Sequence, residues 1–225
     1  MTSLSIIIPT LNEAAGIEGL LRSLQPLRMK GGELILVDGG SRDNTVTLAE
    51  PLVDQVHESP PGRALQMNAG ARRASGEVLW FLHADCLATP GHGEAIIASL
   101  RNTSAAWGRF DVTLSGSHPL FRVIGFLMNQ RSRLTGIATG DQGIFVRRSL
   151  FEALGGFAEI PLMEDLQLSS RLRRHGPPLC LRQRLVTSSR RWEEAGIVRT
   201  ILLMWRLRLA YFLGADPYRL ARRYT

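Results

Sequence analysis

Short apolar runs alternate with longer amphipathic stretches along the first third of the chain. The run Leu4–Ile8, inside "LSIIIPTLNE", predicts a buried strand, after which Ile17, Leu20, Leu21 and Leu24 recur at helical spacing. The scheme repeats in "ELILVDGGSRDNTVTLAE": a strand over Leu34–Val37, a Gly-rich turn, and a helix capped by Ser41 or Asp43. "GRALQMNAGARRAS" predicts a further helix ended by Gly76, and "EVLWFLHAD" a third strand. Strands that alternate with helices pair in parallel, so the pattern predicts an α/β fold with a doubly wound sheet.

Later segments are less regular. "AWGRFDVTL" reads as a strand and "FRVIGFLMNQRSRL" as a helix, while "DQGIFVRRSLFEALGG" reads as a strand running into a short helix closed by Gly155 and Gly156. "MEDLQLSSRLRRHG" has acids in its first turn and arginines in its last, a polarity that suits the helix dipole. The pattern divides the chain into one domain over 1–195 and a helical, basic tail over 196–225. Within that tail, Arg199, Arg206 and Arg208 interrupt every apolar run well short of the roughly 20 residues a membrane span needs. Arg199 and Arg206 share a helical face and Arg208 lies opposite. The tail therefore reads as a helix packed on the domain or on a second copy, or as one lying in a membrane surface.

Charge sharpens this division. Residues 1–169 carry 14 Lys or Arg against 17 Asp or Glu, whereas residues 170–225 carry 13 against 3. Lys30 is the only lysine, so the basic character is arginine, which suits planar recognition of phosphate. Nucleic acid is not the expected partner, because the basic end has neither interleaved aromatic platforms nor a recognised module. The N-terminus lacks the charged start and long apolar run of a signal peptide. Cys86 and Cys180 have no metal-ligand spacing, so a reducing, cytoplasmic setting is expected.

Ligands of open α/β sheets bind at the carboxyl ends of the strands. Three such ends are polar here: Pro9-Thr10-Leu11-Asn12-Glu13, Asp38-Gly39-Gly40-Ser41, and His83-Ala84-Asp85. Asp38 is suited to accept hydrogen bonds from a nucleobase or ribose, and the glycines let backbone approach a ligand. Strand alternation places His83 and Asp85 on one face, aimed at one point as two potential metal ligands; an ordinary polar strand end is the simpler alternative. A cation at Asp85 would neutralise a diphosphate. Arg63, Arg190 and Arg191 are candidates for that diphosphate. Asn68 is either ligand-binding or internal to its helix. Gly140 and Asp141, just ahead of the strand "GIFV", are expected on the acceptor side of the same crevice. Glu164 and Asp165 open a helix after the loop "GGFAEIPLM", where either a capping pair or a catalytic base would fit.

The segments "SIIIPTLNE", "LILVDGGSRDNT", "GEVLWFLHADC", "GGF" and "MEDLQLSSRL" follow the order and spacing of family 2 glycosyltransferases of the GT-A fold, over roughly residues 4–192. "VDGGSRDNT" resembles that family's VDDGSxDxT segment, "LHAD" stands where LDAD is usual, and "RRW" at 190–192 resembles the end of its QxxRW element. A bacterial subgroup of short members with "FLHAD" and "SSRRW" is the most similar. The resemblance implies a Rossmann-like, mostly parallel sheet flanked by helices. It also implies transfer of a sugar from a nucleotide-diphosphate donor, with Mg²⁺ or Mn²⁺ and inversion at the anomeric carbon. By position, Thr10, Glu13 and Asp38 would bind the nucleoside, Asp85 the metal, and Asp165 would be the base. Arg190, Arg191 and Trp192 would belong to the nucleotide-sugar-binding residues. His83 replaces an aspartate, removing one negative charge; it is a second candidate ligand or a donor contact. Serine at 188, where the family element has Gln, points to single-sugar transfer rather than processive polymerisation. The acceptor is left open, a lipid-linked one among the candidates. A nucleotidyltransferase, or a noncatalytic nucleotide-sugar binding protein, is the alternative reading.

Overall fold

A computed structural model describes residues 3–101 and 103–224. The first half builds as the periodicity predicts: β1 (Leu4–Thr10), α1 (Ile17–Met29), β2 (Glu33–Asp38), α2 (Thr45–Ala49), β3 (Gln55–Glu58), α3 (Arg63–Arg73) and β4 (Val78–Phe81). These four strands pair in parallel in the order β3-β2-β1-β4. Their apolar runs are continuous because both faces are covered. Leu4, Ile6, Ile8, Leu34, Leu36, Val78 and Trp80 join the core beneath α1, while Ile7, Ile35, Val37, Leu79 and Phe81 join the core beneath α3. Close approach of α3 depends on Gly70, where a Cβ would lie 2.5 Å from Ile7 Cγ2 and 3.0 Å from Val37 Cγ2. At the opposite pole of the sheet from the strands' carboxyl ends, Lys30 closes α1 and pairs with Glu94 at 2.6 Å.

The second half introduces the antiparallel pairings of an otherwise mostly parallel sheet. It comprises β5 (Cys86–Leu87), α4 (Pro90–Arg101), β6 (Trp107–Leu114), α5 (Pro119–Thr135), β7 (Phe145–Arg147), α6 (Arg148–Ala153), α7 (Glu164–Leu172) and β8 (Leu179–Thr187). The sheet continues β4-β7-β6-β8-β5, with β7 antiparallel to both neighbours and β5 antiparallel to β8. The reason is directional: β7 leaves from the turn at Gly140–Gln142, on the carboxyl side of β4, and so must run back through the sheet. Three helices follow, α8 (Arg190–Ala195), α9 (Ile197–Phe212) and α10 (Pro217–Tyr224). The expected boundary at 195/196 falls between α8 and α9. Leu207 of α9 and Leu220 of α10 bury against Ile137, Leu162, Met163 and Leu166, so the tail packs back on the domain. Cys86 and Cys180 are both free.

One side-chain amide replaces a missing strand. β6 pairs with β7 only at Trp107 and Gly108, leaving the rest of that edge open. There Asn129 of α5 accepts a hydrogen bond from Val112 N at 2.9 Å and donates to Val112 O at 3.0 Å. Asn129 is 8% exposed and Val112 1%, so Asn129→Ala strands two buried backbone groups. Because each costs about 1–3 kcal/mol when unpaired, urea denaturation should show a loss of about 2–5 kcal/mol. A loss under about 1 kcal/mol would mean that water replaces the amide.

Candidate functional site

Two adjoining cavities open at the carboxyl ends of β1 and β4. The smaller, about 290 Å³, is lined by Pro9, Thr10, Leu11, Glu13, Gly62, Arg63, Gln66, His83, Ala84 and Asp85. The larger, about 780 Å³, shares Glu13, Arg63 and Asp85 with it and extends between α5 and α9. Asp141, Arg190, Arg191 and Trp192 line this second space. Glu13, Arg63 and Asp85 thus stand at the junction.

The turn after β4 places the pair that the sequence put on a strand. β4 ends at Phe81, and Cys86 N donates to His83 O at 3.1 Å, so His83 and Asp85 lie on a turn rather than on one face of a strand. Both still reach the smaller cavity. His83 Nδ1 lies 3.6 Å from Asp141 Oδ1. Burial disfavours its charge, but Asp141 outweighs burial and raises its pKa. Burial likewise opposes the charge on Asp141, yet His83, Arg63 and Arg208 bring its carboxyl down to about 2. The imidazole edge needs Gly140: a Cβ there would lie 2.4 Å from His83 Cε1.

Glu13 and Asp85 are like charges on one junction. The carboxyl of Glu13 is raised by burial first and by Asp85 next. Burial also works against the charge of Arg63, but Tyr224, Glu164, Asp141 and Asp165 overcome it and raise its pKa. Glu164 is 6% exposed, and burial, with Asp165 beside it, pushes its carboxyl up to about 7. Asp165 Oδ2 accepts from Gly140 N at 2.8 Å and Oδ1 from Leu166 N at 2.7 Å, which fixes its carboxylate toward the Gly140–Gln142 turn. Glu164 and Asp165 lie behind the cavity lining, at the start of α7.

Glu164 gives the protein a pH dependence. Its folded-state pKa stands above the ordinary 4.5, so the stability it contributes is full below pH 4.5 and is lost as pH rises through about 7. The loss should approach roughly 3 kcal/mol. Wild-type unfolding midpoints should fall between pH 5 and 8, and Glu164→Gln should flatten that slope. Parallel profiles for the two proteins would remove Glu164 as the cause.

Several sequence candidates face the protein instead of the cavity. Asp38, 3% exposed, accepts from Gly40 N at 2.9 Å, Ser41 N at 2.7 Å, the Ser41 hydroxyl and Thr10 Oγ1, so its carboxylate builds the turn that was expected to expose it. Asn12 joins that turn through Arg42 N and Ser41 Oγ. Neither Ser41 nor Asp43 is the N-cap of α2, a position held by Asn44, although Asp43 just ahead of it accepts from Thr45 N at 3.0 Å. Asn68 grips the loop before α7, donating to Phe157 O and accepting from Phe157 N, both at 2.9 Å. Pattern reading missed Gln66, which donates to Thr10 O at 2.7 Å and Val37 O at 2.9 Å and so holds two strand ends at the smaller cavity. Its signal was a polar residue among Ala64, Met67 and Ala71 on the buried face of α3. Tyr224 was also missed. Its ring lies 3.5 Å under the Arg191 guanidinium, and its carbonyl accepts from Arg191 Nη2 at 2.6 Å.

Comparison with known proteins agrees with this geometry. The family described as Glycosyl transferase family 2 matches residues 5–155. A PGL/p-HBAD biosynthesis glycosyltransferase from Mycobacterium bovis is 31% identical over 176 residues, covering 68% of this chain and 62% of its own. The chain spans 41% to 62% of the length of the curated relatives it is compared with. Among solved structures, TarS 1-349 from S. aureus in complex with UDP-GlcNAc superposes with a TM-score of 0.69 at 17% identity, over 83% of this chain and 58% of that one. The mannosyltransferase PcManGT from Pyrobaculum calidifontis, in complex with GDP-Man and Mn²⁺, gives 0.66 at 23% identity, over 92% and 60%.

Proposed function

The chain belongs to glycosyl transferase family 2, and on that premise we propose that it moves a single sugar from a nucleotide-diphosphate-sugar to an acceptor hydroxyl, inverting the anomeric centre. One observation carries the reading. Two cavities of unequal size meet at Glu13, Arg63 and Asp85, the smaller at the strand ends and the larger between α5 and α9. In this assignment the smaller space takes the nucleotide end of the donor, the junction takes its diphosphate, and the larger takes the acceptor.

The junction fits a divalent cation. Asp85 forms no ion pair among the described residues, and Glu13 beside it is an electrostatically unfavourable neighbour that a cation would relieve. Among the described residues no three His, Cys, Asp or Glu side chains stand close enough to enclose a metal. A cation held by Asp85 would therefore complete its oxygen shell from the diphosphate, as hard cations in phosphate sites do. Bound there, Mg²⁺ or Mn²⁺ would neutralise charge on the leaving group. Arg63, Arg190 and Arg191 supply further positive charge to the same group. His83, paired with Asp141, is the second candidate ligand. Asp165 is the proposed base: the acceptor oxygen attacks the anomeric carbon, the bond to the diphosphate breaks, and the hydroxyl proton passes to a carboxylate. Anchorage by two backbone N–H groups keeps that carboxylate in one orientation.

A cytoplasmic, membrane-peripheral location accompanies this reading. Among the described residues no helix is long and apolar enough to cross a membrane. Yet α5 and α9 carry no acid, and they turn Val123, Phe126, Val198, Leu202 and Leu209 outward. The test of the whole proposal is a thermal-shift panel of UDP-, GDP- and dTDP-sugars with and without Mn²⁺, followed by nucleoside diphosphate release. One donor should raise the melting temperature in the presence of the cation and be turned over. Absence of any donor-dependent shift and of any release would overturn it.

A further inference from the structure

The larger cavity holds two arginines with nothing to bind. Arg131 of α5 and Arg208 of α9 both line it. Neither forms an ion pair among the described residues. Nε and one terminal nitrogen of Arg131, and Nε of Arg208, are sealed from water without a hydrogen-bond partner. The remaining terminal nitrogens, Nη1 of Arg131 and both of Arg208, are not sealed and also have no hydrogen-bond partner among the described residues, so an anion in the cavity is positioned to pair with them. Two cations facing one space repel each other, which no purely structural purpose requires. That repulsion adds to burial in bringing the Arg131 pKa down to about 10. Asp141 and Asp165 attract both arginines from a distance but pair with neither.

The wall around these cations is apolar, formed by Ile124, Leu127 and Met128 of α5 and Ile201, Met204 and Trp205 of α9. Leu127 is 53% exposed and Trp205 66%, so this wall continues to the outer surface. Ten of the 15 exposed large apolar side chains among the described residues lie on these two helices.

We propose that the larger cavity is built for an amphiphilic, anionic acceptor, whose phosphate or carboxylate is held between Arg131 and Arg208 and whose apolar part lies between α5 and α9. The proposal rests on the assignment of this cavity to the acceptor and names the class of molecule it takes. Arginine's fork matches a phosphate or carboxylate in two-point contact. The apolar part is what sets such a molecule, a phosphorylated lipid, apart from a soluble phosphorylated compound.

Calorimetric titration of the full chain with octyl phosphate, octyl glucoside and inorganic phosphate separates the two. Octyl phosphate should bind at least 10-fold more tightly than octyl glucoside, and Arg131→Gln and Arg208→Gln should each weaken it by 10-fold or more. Octyl phosphate should also bind far above inorganic phosphate; equal binding of the two would mean that the apolar wall contributes nothing and would overturn the amphiphilic assignment in favour of a soluble anion. Each variant should unfold at the same or a higher temperature than wild type, because a repelling buried cation has gone. Nucleoside diphosphate affinity, measured on the same samples, should be unchanged. Undiminished octyl phosphate binding in both variants, or equal binding of octyl glucoside, would overturn the proposal. So would a matching loss of nucleoside diphosphate affinity, which would give these arginines to the donor. Failure of the donor panel, by contrast, would overturn the assignment on which the proposal rests.

Discussion

Asp165→Asn is expected to keep donor affinity within about 2-fold of wild type and to lower single-turnover transfer by about 10²-fold or more, the usual size of general-base catalysis. Donor binding needs neither this carboxylate nor its proton, whereas transfer needs both. The substitution has a second effect that must be measured beside the first. Both carboxylate oxygens accept backbone N–H groups, from Gly140 and Leu166. An asparagine satisfies only one of them, so stability should fall by about 1–3 kcal/mol. Turnover is therefore compared well below the variant's melting temperature, with donor affinity as the control for integrity. Glu164→Gln should affect turnover less, because Glu164 is buried whereas Asp165 is half-buried. Equal turnover in wild type and Asp165→Asn would remove Asp165 from the mechanism, and a larger loss at Glu164 would transfer the role.

Asp85→Asn should abolish the dependence of nucleoside diphosphate binding on Mn²⁺. With the cation present, affinity should fall by about 10–100-fold, the cost of losing a charge-assisted contact. Without the cation, the variant should bind as well as wild type or slightly better. Two carboxylates at the junction repel a bare diphosphate, and the variant removes one of them. Calorimetry with and without Mn²⁺ measures both arms. Retained cation dependence in the variant would place the metal on other groups.

Much of the first half was legible because its physics is local. Strands buried on both faces are unbroken apolar runs, and α1 shows its buried stripe at Ile17, Leu20, Leu21 and Leu24. The segments that escaped notice lack such signals. The apolar run of β8 is broken by Arg182, Gln183 and Arg184, all exposed; α4 starts on Pro90, Gly91 and Gly93. At the site, residue types were more legible than their partners. Asp38 is where a ligand carboxylate would be expected, but its oxygens accept from the backbone and Ser41 hydroxyl of its own turn and from Thr10 of the neighbouring strand, partners that no side-chain pattern reveals. Arg208 reads along the helix as a flaw in the amphipathic face of α9. In three dimensions it points into the cavity, and the outward stripe of Val198, Leu202, Trp205, Leu209 and Phe212 is unbroken.

The position of Lys30 has a practical use. It is the sole side-chain amine of the chain, 64% exposed, at the pole where β2 begins. Active-ester coupling to a sensor surface through that amine would hold the molecule by the end remote from both cavities. Molecules attached through Lys30 should present α5, α9 and the cavity mouth outward, suited to titration with vesicles as well as with small donors. In most proteins scattered lysines randomise such attachment. Here the near-exclusive use of arginine, which active esters leave untouched, confines side-chain attachment to this one pole.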